Sequence, residues 1–397
     1  MKSSRLFLLG CYAFIALGVS TGVIGPALPT LAAHANVSLD QAGYLFASMS
    51  IGYFISAPII SWAGPRVGTR VMLIVSPLIG IVSMVIFALG RAMPVLMLGT
   101  VLLGIGQSGT QVAYNAMFGS SEGASKKLGQ LNAFYGIGAL LAPLVASFGY
   151  AQFAEATVAF VVAAALLAVL SLGAVLWRGG SGRGMRREGD EGIKRDAPHP
   201  LISVSPLRSP TLWLMSIVMG LYVGCEVAFS GWTTEFTRRS TGIPLAQAAA
   251  STSVFWVGLA LSRYFAPMLF RIQPARLVLL MFGVTVAGYV LMVAFGAALP
   301  LVLVGAFVVG AGMGPVYPTL IAIAIQRFPQ HATLMASVLT SVGSLGALFL
   351  PTWVGVVLTT QSLTGAWLLQ AGVLGIVAAL WFVELRRTRP GHESATA

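Results

Sequence analysis

The sequence predicts an all-α membrane protein, with twelve transmembrane helices arranged in two six-helix pseudo-symmetric halves. Three observations carry that expectation. Of 397 residues, 57% are hydrophobic and 9% charged, and the mean hydropathy is +0.88, whereas a soluble chain is about 45–50% apolar and about 25% charged. Long stretches without charge recur along the whole chain, each near the roughly 20 residues a helix needs to cross about 30 Å of hydrocarbon. The two halves of the sequence also match each other at a nearly constant offset. A water-soluble protein is excluded.

The first span, 6–33, follows Lys2 and Arg5. Its start looks like a signal peptide, but the apolar run continues to Ala33 and further spans follow, so it reads as a retained helix. Spans two and three, 41–63 and 70–90, enclose a short basic loop with Arg66 and Arg70. Span four, 93–119, carries a stripe of amides. Span five, 127–150, starts behind Lys126 and Lys127, and span six, 154–177, stops at Arg178. From there to Arg208 the apolar period is lost among Gly, Ser, Pro and charges of both signs, the composition of a flexible linker. Apolar windows return at 210–237, 246–270, 276–296, 299–326, 333–359 and 363–385. The expected division is an N-terminal half (1–177), a linker (178–208), a C-terminal half (209–386) and a tail (387–397).

Net charge is +12, but the basic residues sit in short loops, where they act as topology signals rather than as a nucleic-acid footprint. With the N-terminus inside, 19 Lys and Arg fall on the cytoplasmic side and only Arg91, Arg238 and Arg239 on the other. Both termini and the linker are therefore expected in the cytoplasm. The Asn36-Val-Ser38 sequon matters only in a secretory host, and loops this short point to a bacterial inner (plasma) membrane.

Cys11 and Cys225 both lie in apolar stretches, so no disulfide framework or cysteine metal site is indicated. Gly104-x-Gly106-x-x-Gly109 matches a dinucleotide fingerprint in letters only, because no strand precedes it. Close helix approach is the better reading. There is no P-loop and no HExxH, and the four histidines are scattered through loops and tail. An ATP-driven pump, a metalloenzyme and any cofactor are disfavoured, and the chain is not expected to be an enzyme.

The repeat is carried by glycines. At an offset of 206, Gly18 and Gly25 fall on Gly224 and Gly231, Gly52 and Ser56 on Gly258 and Ser262, and Gly104 and Gly106 on Gly310 and Gly312. Gly138-Ala-Leu-Leu-Ala-Pro143 recurs as Gly346-Ala-Leu-Phe-Leu-Pro351 at an offset of 208. Six spans per copy give both copies one orientation, so a pseudo-two-fold axis along the membrane normal should relate them. That arrangement resembles the major facilitator superfamily, in which a solute cavity lies between the halves near the midplane.

The loop Ser61-Trp-Ala-Gly-Pro-Arg-Val-Gly-Thr-Arg70 is similar to that superfamily's signature loop. Arg66, Gly68 and Arg70 match, while Ser61 replaces its first glycine and Pro65 its acid. Gln111-Val-Ala-Tyr-Asn115 with Leu131-Asn132, Tyr222 to Trp232 with Ser253-Val-Phe-Trp256 and Ser262-Arg263, and Gly314-Pro-Val-Tyr-Pro318 resemble the fucose permease and sodium-dependent glucose transporter branch. That branch has a glutamate where this chain has Gln111, and an acid in span one where this chain has none before Asp40.

Candidate site residues follow from chemistry in an apolar setting. Glu226 is the only acid deep in a span, where an ionised group costs several kcal/mol and normally lines a cavity or pairs; it is the candidate for ion coupling. Its repeat partner is Ser20, so the fold itself does not require the acid. Arg263, eight residues from Arg271, is the only base within a span, either an interhelical partner or a snorkelled gating contact. Gln107, Gln111 and Asn115 at i, i+4 and i+8 share one helix stripe, and amides suit the hydroxyls of a sugar or polyol. The alternative is interhelical bonding. Asn132 is a further amide of this kind. Tyr222, Trp256 and Tyr317, with Trp232 nearer a span end, offer faces for a ring. Arg66, Gly68, Arg70 and Arg263 form the candidate gating set.

The expectation is a secondary active transporter moving a small polar solute, a sugar first, by alternating access coupled to a proton or sodium gradient. Expected partners are that solute, the ion and the bilayer, with no nucleic acid, for a chain acting as a monomer. Drug or metabolite efflux, and a non-transporting receptor on the same fold, remain as alternatives.

Overall fold

A computed structural model describes residues 2–119, 124–177, 209–269, 272–328 and 332–387. The linker expected at 178–208, and all but the first residue of the expected tail, lie outside them. Among the described residues the chain is helical without strands: α1 (Lys2–Gly22), α2 (Ile24–Ala35), α3 (Leu39–Ala42), α4 (Tyr44–Val67), α5 (Thr69–Leu89), α6 (Met93–Gly119), α7 (Ala124–Phe153), α8 (Thr157–Leu176), α9 (Pro210–Thr241), α10 (Leu245–Leu269), α11 (Pro274–Ala294), α12 (Leu299–Met313), α13 (Val316–Arg327), α14 (Ala332–Val356) and α15 (Leu363–Arg387). Ten helical segments here are long and apolar enough to span a membrane, and α1 with α2 makes another, bent by 46°. The 24-residue α4, about 36 Å long at about 1.5 Å per residue, completes twelve.

Two spans read as continuous are broken, and proline chemistry explains both. Pro26 has no N–H for the Gly22 carbonyl and its ring crowds that group, so the first span breaks at Val23 between α1 and α2. In the tenth span, Pro315 deprives the Ala311 carbonyl and Pro318 the Gly314 carbonyl, and the helix breaks between α12 and α13. The eleventh span ends in a π-helical turn, Val357–Gln361.

The sequence repeat appears as matched packing. In the N-terminal half the extensive contacts are α1 on α7, α4 on α6, α5 on α6 and α5 on α8; in the C-terminal half they are α9 on α14, α10 on α12, α11 on α12 and α11 on α15. These are the same four pairings six spans apart. The repeated glycines sit on them. A Cβ at Gly18 would strike the α7 backbone at Tyr135 and Ala139, and one at Gly224 would come 2.7 Å from the Gly346 carbonyl oxygen. Gly52 meets Val101, and Gly258 meets Phe307. Small residues let membrane helices approach this closely, where van der Waals packing rather than hydrophobicity holds them. On α5, Ser76, Gly80 and Ser83 face inward while Leu78, Val82 and Val85 are exposed, the inverse of a soluble helix.

The halves meet through α7 on α10, α4 on α14 and α2 on α9. At the end away from the termini, here the distal end, the seam is closed. The Trp232 indole donates to the Pro351 carbonyl at 2.7 Å and packs on Phe46 at 6.2 Å between ring centroids. Ser253 donates to the Leu140 carbonyl at 2.8 Å. At the terminal end Asn115, Gly129, Gln130 and Asn132 are exposed.

Candidate functional site

Tyr222 and Glu226 stand one turn apart on α9 and so share a face. The Tyr222 hydroxyl bonds the Glu226 carboxylate and also reaches the Met313 carbonyl, at 2.9 Å, at the α12 break. One residue on, the carbonyl of Gly314 lacks a helical donor because Pro318 has no N–H. Arg263 supplies one, its Nε donating to that oxygen at 2.8 Å. The close packing of α10 here needs glycine, since a Cβ at Gly314 would lie 3.0 Å from the Arg263 backbone nitrogen and strike the Ser262 hydroxyl. Arg263 is thus an interhelical strut. Among the described residues no ion pair joins it to Glu226; the carboxylate bonds the Tyr222 phenol, and Arg263 lies within electrostatic reach of the same phenol.

The N-terminal half brings the facing groups. Tyr53 on α4 donates to the Gln111 carbonyl oxygen on α6. Gln107, one turn away, bonds the Thr21 hydroxyl and the Leu17 carbonyl of α1, the latter at 3.2 Å. Tyr135 on α7 lies beside Thr21. Tyr317 on α13 shares a hydrogen bond of 3.0 Å with Thr340 of α14. Tyr135, Tyr222 and Tyr317 are all within electrostatic reach of Glu226 and Arg263, and Tyr53 is within reach of Tyr135 and Tyr317. Phenols and amides from both halves therefore converge on one acid and one base in an otherwise apolar interior. Glu226, Arg263, Gln107, Gln111, Tyr53, Tyr135 and Tyr317 are half-buried, as expected of polar groups that line a cavity rather than face lipid.

Of the residues singled out in the sequence, Gln111, Tyr222, Glu226, Arg263 and Tyr317 come together. Asn115 and Asn132 lie one or more turns toward the terminal end, both exposed. Trp256 is buried, 5.2 Å from Phe255 ring to ring, and its indole N–H has no partner among the described residues. It lies between Ser253 and Ala260 on the α10 face that meets α7, where Ala260 neighbours Gly136. Trp232 belongs to the distal seam instead. In the loop between α4 and α5, Gly68 holds φ +89°, a backbone that favours glycine, and Arg70 donates to the Val175 carbonyl at 2.8 Å. Arg66 is exposed.

Sequence reasoning missed Tyr53, Tyr135, Thr21 and Thr340. The two tyrosines carried a usable signal: each is a hydroxyl well inside a span, away from the interfacial belts where aromatic residues normally gather.

Comparison with known proteins agrees with this architecture. The family model described as Major Facilitator Superfamily matches residues 8–351 and 238–397. Bypass of stop codon protein 6 of Saccharomyces cerevisiae is 22% identical over 380 residues, covering 87% of this chain and 76% of that protein. Sodium-dependent glucose transporter 1 of Homo sapiens is 21% identical over 391 residues, covering 87% and 72%. The crystal structure of the nucleoside transporter NupG superposes with a TM-score of 0.77 at 12% identity over 97% of this chain and 99% of that one. Family match, paired helix packing and a polar cluster between two six-span halves agree: the chain belongs to the Major Facilitator Superfamily.

Proposed function

We propose that this transporter moves an uncharged polyhydroxy solute, a sugar or a nucleoside, by alternating access of its two halves, coupled to a proton. The observation that carries the reading is the make-up of the cluster. Four tyrosines and two glutamines surround one carboxyl and one guanidinium, so the site offers many hydrogen-bond donors and acceptors without a net charge. Such a site rewards hydroxyls and ring faces, and holds no surplus charge to select an ion as solute. The human relative's name, sodium-dependent glucose transporter 1, supports the sugar class, while the ion it names is that protein's.

The proton is favoured over sodium by Arg263. A sodium ion beside Glu226 would want carbonyl oxygens, and the one freed by Pro318 at Gly314 is already held by the guanidinium. Glu226 is then the coupling group. Asn115 and Asn132, exposed toward the terminal end, line the route by which solute leaves. Arg66, Gly68 and Arg70 act as the hinge loop between α4 and α5. The excess of Lys and Arg at the terminal end supports placing both termini in the cytoplasm, and a closed distal seam then corresponds to an inward-facing state.

The test is uptake into proteoliposomes of labelled sugars and nucleosides, under an imposed proton gradient and separately under a sodium gradient. Accumulation of a neutral solute with the proton gradient alone is expected. Accumulation with sodium alone overturns the coupling, and accumulation only of charged solutes overturns the solute class.

A further inference from the structure

A cavity of about 530 Å³ opens at the distal end across the seam. Ligand pockets commonly enclose about 300–1,000 Å³. One wall belongs to the N-terminal half and is apolar: Pro29, Ala32, Val37 and Leu39. The other belongs to the C-terminal half and presents Arg238 and Arg239 beside Ile243. Glu235, 3% exposed, anchors both guanidiniums. It takes Nε and Nη2 of Arg238 at 3.0 and 2.7 Å and Nε of Arg239. Two guanidiniums on one carboxylate leave one positive charge. The terminal nitrogens of Arg239 have no partner among the described residues, and Asp40, next in the chain to Leu39, forms no ion pair with either arginine.

We propose that this cavity is a binding site, separate from the central cluster, for a small organic monocarboxylate with an apolar body about one ring in size, and that its occupant clamps the distal seam. A guanidinium fork matches a carboxylate in geometry. A single surplus charge suits a monoanion, and the facing wall of four apolar side chains would desolvate a polyanion without compensation. Because the walls come from opposite halves, they separate when the distal seam opens, and a ligand touching both resists that opening by the affinity it would lose.

The experiment uses the full-length protein purified in detergent, with benzoate as the probe and benzyl alcohol as its neutral counterpart. Benzoate should raise the thermal unfolding midpoint saturably while benzyl alcohol does not. Val37→Trp and Ile243→Trp, which fill the cavity from opposite walls at half-buried positions, should each weaken the benzoate effect at least about tenfold, as should Arg239→Gln. A second readout addresses the clamp. A cysteine replacing Ala42, which is fully buried next to Gly43 at the seam, should react with a maleimide severalfold more slowly when benzoate is present. No benzoate shift, an equal shift with benzyl alcohol, or an undiminished shift in either tryptophan variant overturns the site. Binding that leaves the labelling rate unchanged overturns the clamp.

Discussion

Gly25 and Gly231 hold equivalent places in the two halves, 206 residues apart, and they touch: a Cβ on Gly25 would lie 2.7 Å from the Gly231 Cα. Equivalent residues can meet only at the axis that relates them. The pseudo-two-fold therefore passes between α2 and α9 at the distal end, and the contact at that point can exist only while the seam is closed.

Gly25→Val tests this directly. The added methyls overpack the closed seam, a cost of about 1–3 kcal/mol, while the open seam has room for them. The balance should move toward distal opening by about tenfold or more. A cysteine at Ala42 should then react faster with a maleimide added from the distal side. An unchanged rate in a protein that folds normally would mean that the contact does not gate the seam.

The fold was legible because its signals are additive over many residues. Twelve apolar windows and a glycine repeat each survive a few misread positions, and the repeat has a physical cause in the helix pairs at Gly18, Gly52, Gly224 and Gly258. The breaks were less legible: Pro26 and Pro315 are visible, but a proline inside a span can bend it or be absorbed by neighbours. In the site, Glu226 and Arg263 stood out because charge is rare at that depth. Tyr53 and Tyr135 stood out less: a hydroxyl well inside a span is a signal, but what it does depends on its neighbours, and Gln111 and Thr21 come from other spans. No spacing rule within one helix reaches them.

The Tyr53–Gln111 bond separates a binding role from a scaffolding role. If the pair faces the solute, Tyr53→Phe and Gln111→Ala should each weaken solute binding by about 1–3 kcal/mol, the cost of leaving a desolvated partner unbonded. The double variant should lose less than the sum, because the residues are in contact. Full affinity with a lower unfolding midpoint in detergent would assign the bond to holding α4 against α6.

At the distal surface His34 and Glu155 pair at 3.0 Å. That hydrogen bond, first among the causes, holds the Glu155 carboxyl below its ordinary value. A lowered carboxylate contributes stability that is present above its ordinary value and is lost as pH falls through the lowered one. The Glu155 side chain is 46% exposed, so solvent screening limits the gain to under about 1 kcal/mol. Glu155→Gln should lower the unfolding midpoint slightly at neutral pH, and the gap to wild type should close below about pH 4. A gap that persists in acid would show that packing, not charge, is what the substitution disturbs.

The proposed coupling role falls to Glu226. Its carboxyl meets the Tyr222 hydroxyl, and that hydroxyl also reaches the α12 break at the Met313 carbonyl. A change in protonation would therefore be felt where the tenth span is already discontinuous. Glu226→Gln preserves size and hydrogen bonding but fixes the group as neutral. Accumulation of solute against its gradient should then fail, because no proton can be taken up on one side and released on the other. Exchange of solute down its own gradient should survive, since the two halves can rock without the charge. Normal accumulation would make Glu226 a structural bond to Tyr222 and place the driving ion elsewhere. Loss of both accumulation and exchange, in a protein that still unfolds at the wild-type midpoint, would make Glu226 a direct ligand of the solute.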